Sequence, residues 1–258
     1  MKNCIILGFG RSGTSLMGGI LYHSGYFMGD NLYPSRESNP KGFFENDVIN
    51  GINERILSHY DYIKIQNTNN PPAYQSSPFN PLYGQRWLSY IEPETSITYI
   101  DDSIVTEIQK VLSVPVYAYK DPRFTFTLPI WNRFLPSEIV YICMFRQPDI
   151  TVESVIKDCT SADYLKDFYI DCDIIFKLWY NSYQRVLKNL NEDTNLKMIF
   201  VNYEQLLSKD ILPELSKKLD VDLDSLFISP DLNRSRSSND SPQYALDLYK
   251  TLCGLSGL

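Results

Sequence analysis

The sequence predicts an α/β protein: a P-loop-type three-layer sandwich in which a mainly parallel central sheet is flanked by helices. Three observations lead there. Four short runs, Cys4–Leu7, Val114–Tyr119, Ile139–Phe145 and Met198–Tyr203, are apolar almost without interruption. Such runs suit strands buried on both faces of a parallel sheet rather than alternating, half-exposed ones. Helical patterns separate them, as the crossovers of parallel strands require. And 258 residues, 43% hydrophobic and 21% charged, are enough for one sizeable core, so residues 1–258 are read as a single domain.

In chain order, Cys4–Leu7 opens the sheet and Ser15–His23 forms the first helix. Gly25–Phe43, with three Gly and two Pro, is a long loop, and Asp47–Ser58 is helical. Gln66–Gly84, rich in Asn and Pro, is a second long loop. Loops of that length are uncommon in compact domains unless functional. Helices follow at Asp101–Leu112, Phe124–Phe134, Ile150–Lys157 and Tyr164–Leu190. Asn233–Ser241 is a polar loop, and Pro242–Leu252 a last helix.

The formal net charge is −7 and the pI about 4.9, against the sign of a nucleic-acid-binding surface. The five cysteines, at 4, 143, 159, 172 and 253, are odd in number and lack C-x-x-C spacing. That points to a reducing compartment rather than a disulfide framework. The apolar runs are too short for a secretory leader or a membrane span, so a soluble, cytoplasmic protein is expected.

Gly8-Phe9-Gly10-Arg11-Ser12-Gly13-Thr14-Ser15 turns from the first strand into the first helix. A glycine-rich turn at a helix N-terminus is an anion site, because its N–H groups converge and the helix dipole favours negative charge. The segment fits two familiar patterns. Gly8-x-Gly10-x-x-Gly13 is the dinucleotide fingerprint, but the acidic partner expected roughly 20 residues on falls at Asp30, in a loop. Gly8–Ser15 also fits the ATP/GTP loop, except that Thr14 replaces the lysine that neutralises the β/γ-phosphates.

A third reading rests on resemblance. Arg11-Ser12-Gly13-Thr14-Ser15 resembles the loop that holds the 5′-phosphosulfate in sulfotransferases, in its bacterial and tyrosylprotein form. Three more strand ends carry matching blocks. Lys120-Asp121-Pro122-Arg123 resembles the Lys-Asp-Pro whose Lys lies near the donor's bridging oxygen. Arg146 and Ser154, eight residues apart, match the Arg and Ser that hold its 3′-phosphate. Tyr203-Glu204-Gln205-Leu206 is similar to the Tyr-Glu-x-Leu block whose Tyr lies near the adenine. Ligands of open parallel sheets bind at the carboxyl ends of strands, where all four blocks fall. The resemblance covers residues 4–207; Leu232-Asn233-Arg234-Ser235 matches a late loop more weakly.

The resemblance implies transfer of a sulfonate from 3′-phosphoadenosine 5′-phosphosulfate (PAPS) to an acceptor hydroxyl, leaving 3′,5′-adenosine diphosphate. It implies no metal, since the transferred group carries a single negative charge. The acceptor, a small molecule, lipid, sugar or peptide, is not named by the sequence, nor is the oligomeric state. For the base, the chain offers His23, His59 and Glu45. Glu45 is preferred, because Gly42-Phe43-Phe44-Glu45 is similar to a Gly-aromatic-aromatic-Glu of bacterial sulfotransferases. The two Phe are expected to desolvate the carboxylate and raise its pKa. Glu45 and Lys120 are thus the catalytic candidates. Arg11, Ser12, Gly13, Thr14, Ser15, Arg146, Ser154 and Tyr203 are the donor-binding ones. A P-loop kinase or ATPase with Asp121 on a metal, and a nucleotide-binding module without catalysis, stand as alternatives.

Overall fold

A computed structural model describes residues 1–37, 39–60, 66–67, 84–161, 168–169, 171–193, 195–229 and 240–257. Along the chain the first elements are β1 (Cys4–Leu7), α1 (Thr14–His23), α2 (Asp47–Leu57), β2 (Gln66–Asn67), α3 (Asp102–Val111) and β3 (Ala118–Lys120). Then come α4 (Phe124–Trp131), β4 (Val140–Phe145), α5 (Pro148–Ser161), β5 (Phe168–Tyr169), α6 (Cys172–Glu192) and β6 (Met198–Asn202). The described chain closes with α7 (Tyr203–Ser208), α8 (Leu212–Leu219) and α9 (Gln243–Leu255).

The central sheet has the order β3-β1-β4-β6, and every pairing in it is parallel. Side chains alternate across a strand, so each run feeds two cores. Ile5, Leu7, Tyr119, Tyr141, Cys143, Phe145 and Phe200 face α2 to α6 and α9. Cys4, Ile6, Ala118, Val140, Ile142, Met144, Ile199 and Val201 face α1, α7 and α8. Every residue of β1, β3 and β4 is buried. This two-sided burial is the physical reason that the strand runs are continuously apolar, and it makes the expected three layers.

Three boundaries differ from the sequence reading. β3 begins at Ala118 rather than Val114, because Pro115 has no N–H to give a ladder. β6 ends at Asn202, whose side chain caps the next helix, so Tyr203 opens α7 instead of closing a strand. The helix expected over Tyr164–Leu190 starts at Cys172, where the Asp171 carboxylate accepts from Asp173 N–H as a cap. Ahead of it, Phe168–Tyr169 pairs antiparallel with Gln66–Asn67. The rest of the Gln66–Gly84 loop up to residue 83, and Leu232-Asn233-Arg234-Ser235, lie outside the described residues.

Candidate active site

The phosphate loop is built by backbone of mixed handedness. Gly8 (φ +135°), Arg11 (φ +68°) and Gly13 (φ +93°) adopt left-handed conformations. A Cβ on Gly8 would lie 2.2 Å from the Met144 carbonyl oxygen, so only glycine fits beside β4. Alternating handedness of this kind curls successive N–H groups into an anion-binding concavity. No side chain caps the N-terminus of α1, and no acidic residue occupies its first turn, which leaves its dipole for an anion. The Tyr183 hydroxyl supports the loop from beneath. It accepts from Phe9 N–H (3.2 Å), donates to the Met144 carbonyl (2.8 Å) and lies 3.0 Å from Ser12 Oγ. Ser12 itself is fully buried, and its N–H donates to the Phe9 carbonyl. Its side chain is therefore part of this support.

Lys120 and Glu45 meet beside the loop. Lys120 Nζ donates to Glu45 Oε1, to Ser15 Oγ (3.2 Å) and to the Phe43 carbonyl (3.2 Å). Asn50 Nδ2 donates to the other Glu45 oxygen (2.8 Å), and Arg123 stands 3.9 Å from it. Phe44, just before Glu45, is itself left-handed (φ +54°), a strained state for a bulky residue. It is held by packing on Gly18, where a Cβ would lie 3.0 Å from Phe44 Cβ. The expectation that Glu45 would have a raised pKa is corrected here. Burial does push it up, but Lys120 and Arg123 together with their hydrogen bonds prevail, and its pKa lies below the ordinary carboxylate value.

Behind this pair lies a buried ionic network. Arg123 bonds Asp121 (3.0 Å) and Glu54, and Glu54 also accepts from Arg86 N–H (2.8 Å) and Nη1 (3.0 Å). Asp121 is fully buried, with one oxygen on Arg123 and the other accepting from Asn53 (2.9 Å). Burial first, then the nearby Glu45 charge, raises its pKa in spite of Arg123. An Asp so enclosed is badly placed to ligate a metal, which removes the role that a kinase reading gives it. Among the described residues, no group of three or more His, Cys, Asp or Glu side chains is placed to hold a metal ion.

The third group lies on the β4–β6 side. Ser154 Oγ accepts from Arg11 Nε (3.1 Å), and Arg11 Nη1 is 3.8 Å from Asp158. The Arg146 guanidinium covers the Tyr203 ring at 4.3 Å. That ring packs on the phosphate loop, where a Cβ on Gly13 would stand 2.5 Å from it. Burial lowers the pKa of Arg146, and the Arg11 charge acts in the same direction against Tyr203 and Glu204. So Gly13, Arg11, Ser154, Arg146 and Tyr203, from four separate stretches, form one cationic and aromatic wall. Trp87 closes over Gly10, where a Cβ would sit 2.5 Å from its ring.

His23 and His59 lie apart from this site. His23 packs on Phe227 at 4.8 Å, and His59 stacks on Tyr99 at 3.5 Å. Four site residues escaped the sequence reading: Asn50, Trp87, Arg123 and Tyr183. Arg123 had a signal, since it directly follows Lys120-Asp121-Pro122. The other three reach the site from segments without a motif.

A parallel sheet with a glycine-rich loop running into a helix after its first strand defines a P-loop-type α/β protein. The chain belongs to the Sulfotransferase family, whose model matches residues 4–214, and is a sulfotransferase. Two solved structures share the fold. One is a sulfotransferase domain from the curacin biosynthetic pathway: 13% identity, 97% of each chain covered, TM-score 0.53. The other is the sulfotransferase domain of the Synechococcus PCC 7002 olefin synthase: 16% identity, 98% of this chain and 96% of that one, TM-score 0.52. No curated protein matches the sequence.

Proposed function

We propose that this sulfotransferase takes its sulfonate from PAPS and passes it to a hydroxyl of an acceptor, with Glu45 as the general base. The observation that carries this reading is the meeting of Glu45 and Lys120 beside Ser15 of the phosphate loop. A proton acceptor and a cation side by side at the first turn of α1 support this reading, because a 5′-phosphosulfate held by the loop would end near them.

The donor set fits such a ligand. The loop and the first turn of α1 offer N–H groups, Ser15 a hydroxyl, and Lys120, Arg11 and Arg146 positive charge. Arg11, Arg146 and Ser154 are assigned to the 3′-phosphate, with Tyr203 beside the adenosine. When bound, the donor supplies the sulfonate: the acceptor oxygen bonds sulfur as the bond from sulfur to the 5′-phosphate oxygen breaks, leaving 3′,5′-adenosine diphosphate. Glu45 takes the acceptor's proton. Lys120 stabilises charge on the departing oxygen. Lys120 cannot serve that oxygen and Glu45 equally. As it turns to the phosphate, Glu45 loses its nearest cation and becomes the stronger base. Asn50 and Arg123 keep the carboxylate in place meanwhile.

All five cysteines are free thiols, which supports a reducing, cytoplasmic setting. No described helix is long and apolar enough to cross a membrane. The acceptor class stays open among small molecules, lipids, sugars and peptides.

Thermal shift assays test the donor. 3′,5′-Adenosine diphosphate at about 100 times its dissociation constant should stabilise the fold by roughly 2.7 kcal/mol, with or without magnesium. Arg146→Ala should weaken that ligand about 10- to 100-fold, as for loss of a charge-assisted contact, and adenosine 5′-phosphate much less. Stabilisation by ATP with magnesium and none by the bisphosphate would overturn the reading and favour a P-loop ATPase.

A further inference from the structure

A cavity lies away from the phosphate loop. It has a volume of about 270 Å³ and is walled by the end of α4, by residues 94–98 and by the last turns of α6. α4 starts just past the carboxyl end of β3, so its far end lies at the opposite edge of the sheet. There the Tyr141 hydroxyl, near the start of β4, donates to Asn132 Oδ1 (2.9 Å). The active-site groups, at the carboxyl ends of the strands, are on the other side.

The cavity wall contains a buried cation that forms no ion pair among the described residues. Arg185 is 3% exposed, and no Asp or Glu oxygen among the described residues comes within ion-pair distance of it. Its Nη1 donates to the Pro93 carbonyl (2.5 Å), while its Nε has no acceptor. One turn on, Asn189 is 5% exposed, and its Nδ2 has no acceptor either. Arg133 stands exposed on the same wall. Lys188, Glu94 and Glu192 also line the cavity, but Lys188 is engaged by both carboxylates, closely by Glu94 and at 3.9 Å by Glu192. The lining therefore keeps a net charge of +1, three cations against two carboxylates. Removing a guanidinium from water without an anion is costly, and its planar fork matches the oxygens of an oxyanion. Burial lowers the pKa of Arg185 in spite of Glu192 and Glu94.

We propose that this cavity is an oxyanion site, separate from the active site, in which Arg185, Arg133 and Asn189 receive phosphate or sulfate, free or as the head of a small monoester.

Nuclear magnetic resonance on the full chain tests it. Sodium phosphate and sodium sulfate are titrated against sodium chloride at matched ionic strength. The Arg185 Nε–H and Asn189 side-chain amide signals report on the cavity, and the Gly13 N–H reports on the phosphate loop. The cavity signals should shift saturably with either oxyanion, on a curve independent of Gly13. Arg133→Ala removes an exposed side chain, so the fold stays intact. It should weaken the cavity response about tenfold and leave the Gly13 response unchanged. Cavity signals that move no more with oxyanion than with chloride would refute the proposal, as would an affinity unaltered by Arg133→Ala. A Gly13 signal that fails to respond bears on the donor site alone.

Discussion

Glu45 is pulled two ways, and the balance is measurable. Burial favours its protonated form; Lys120 and Arg123 favour the carboxylate and win. A folded-state pKa below the usual 4.5 means that the ion pair stabilises the fold fully above about pH 4.5. That stabilisation is lost as the pH falls through the folded value. Glu45→Gln should therefore cost about 1.5–3 kcal/mol at pH 7, and its deficit against the native chain should shrink below pH 4.5. Urea unfolding at a series of pH values checks this; a deficit that grows on acidification contradicts the sign. The same variant should lower turnover roughly 10²- to 10⁴-fold with donor affinity nearly intact. His23→Ala, at the exposed end of α1, should leave turnover unchanged. The reverse pattern would make His23 the base.

At the scale of elements, the junction of β6 and α7 sets the aromatic wall. Asn202 Oδ1 accepts from Glu204 N–H (2.9 Å), while Gln205 Oε1 accepts from Asn202 N–H (3.0 Å), forming a capping box. Asn202 Nδ2 donates to Tyr249 Oη (3.0 Å), tying the junction to α9. This stop to the strand turns Tyr203 onto Gly13 and under Arg146. Asn202→Ala should cost about 1 kcal/mol for the cap alone, or roughly 2–4 °C in melting temperature for a chain of this length. It should also weaken binding of 3′,5′-adenosine diphosphate, because Tyr203 loses its anchor. Asn202→Asp keeps the cap acceptor and should recover most of the stability. Calorimetry and titration on the two variants separate the effects; equal losses in both would mean that the cap is immaterial.

Across the whole molecule, Glu54 joins three segments distant in sequence. From α2 it holds Arg123 at the start of α4 and Arg86 in the short 3₁₀ turn Arg86–Leu88. Its side chain is 4% exposed, and those of the two arginines 3% and 1%. Removing one partner of a buried pair strands the others, so Glu54→Ala should cost about 3–5 kcal/mol. Guanidinium unfolding should show a lower midpoint with an unchanged slope. A loss below about 1 kcal/mol would place the network on the footing of a surface ion pair. Because Arg123 also stands 3.9 Å from Glu45, turnover should fall with it even where the fold survives.

The sequence by itself determined the layers of this protein and pointed to most of the residues of its candidate site. A strand buried on both faces must be apolar along its length, and Cys4–Leu7 and Val140–Phe145 are. The phosphate loop was legible because Gly8 and Gly13 do what other residues cannot in left-handed backbone against Met144 and Tyr203. Glu45, Lys120, Arg146 and Ser154 were legible as motifs tied to strand or loop ends. Only the tertiary structure decided which of them touch. Arg11 reaches Ser154, 143 positions away, and Lys120 reaches Glu45, 75 away. No local pattern encodes the supports Tyr183, Asn50 and Trp87, which arrive from helices and turns whose own periodicity says only that they are buried. The direction of the Glu45 shift was likewise beyond the sequence. Two neighbouring Phe argue for a raised pKa, but electrostatics depends on distance through space, and folding brings two cations closer to the carboxylate than its chain neighbours suggest.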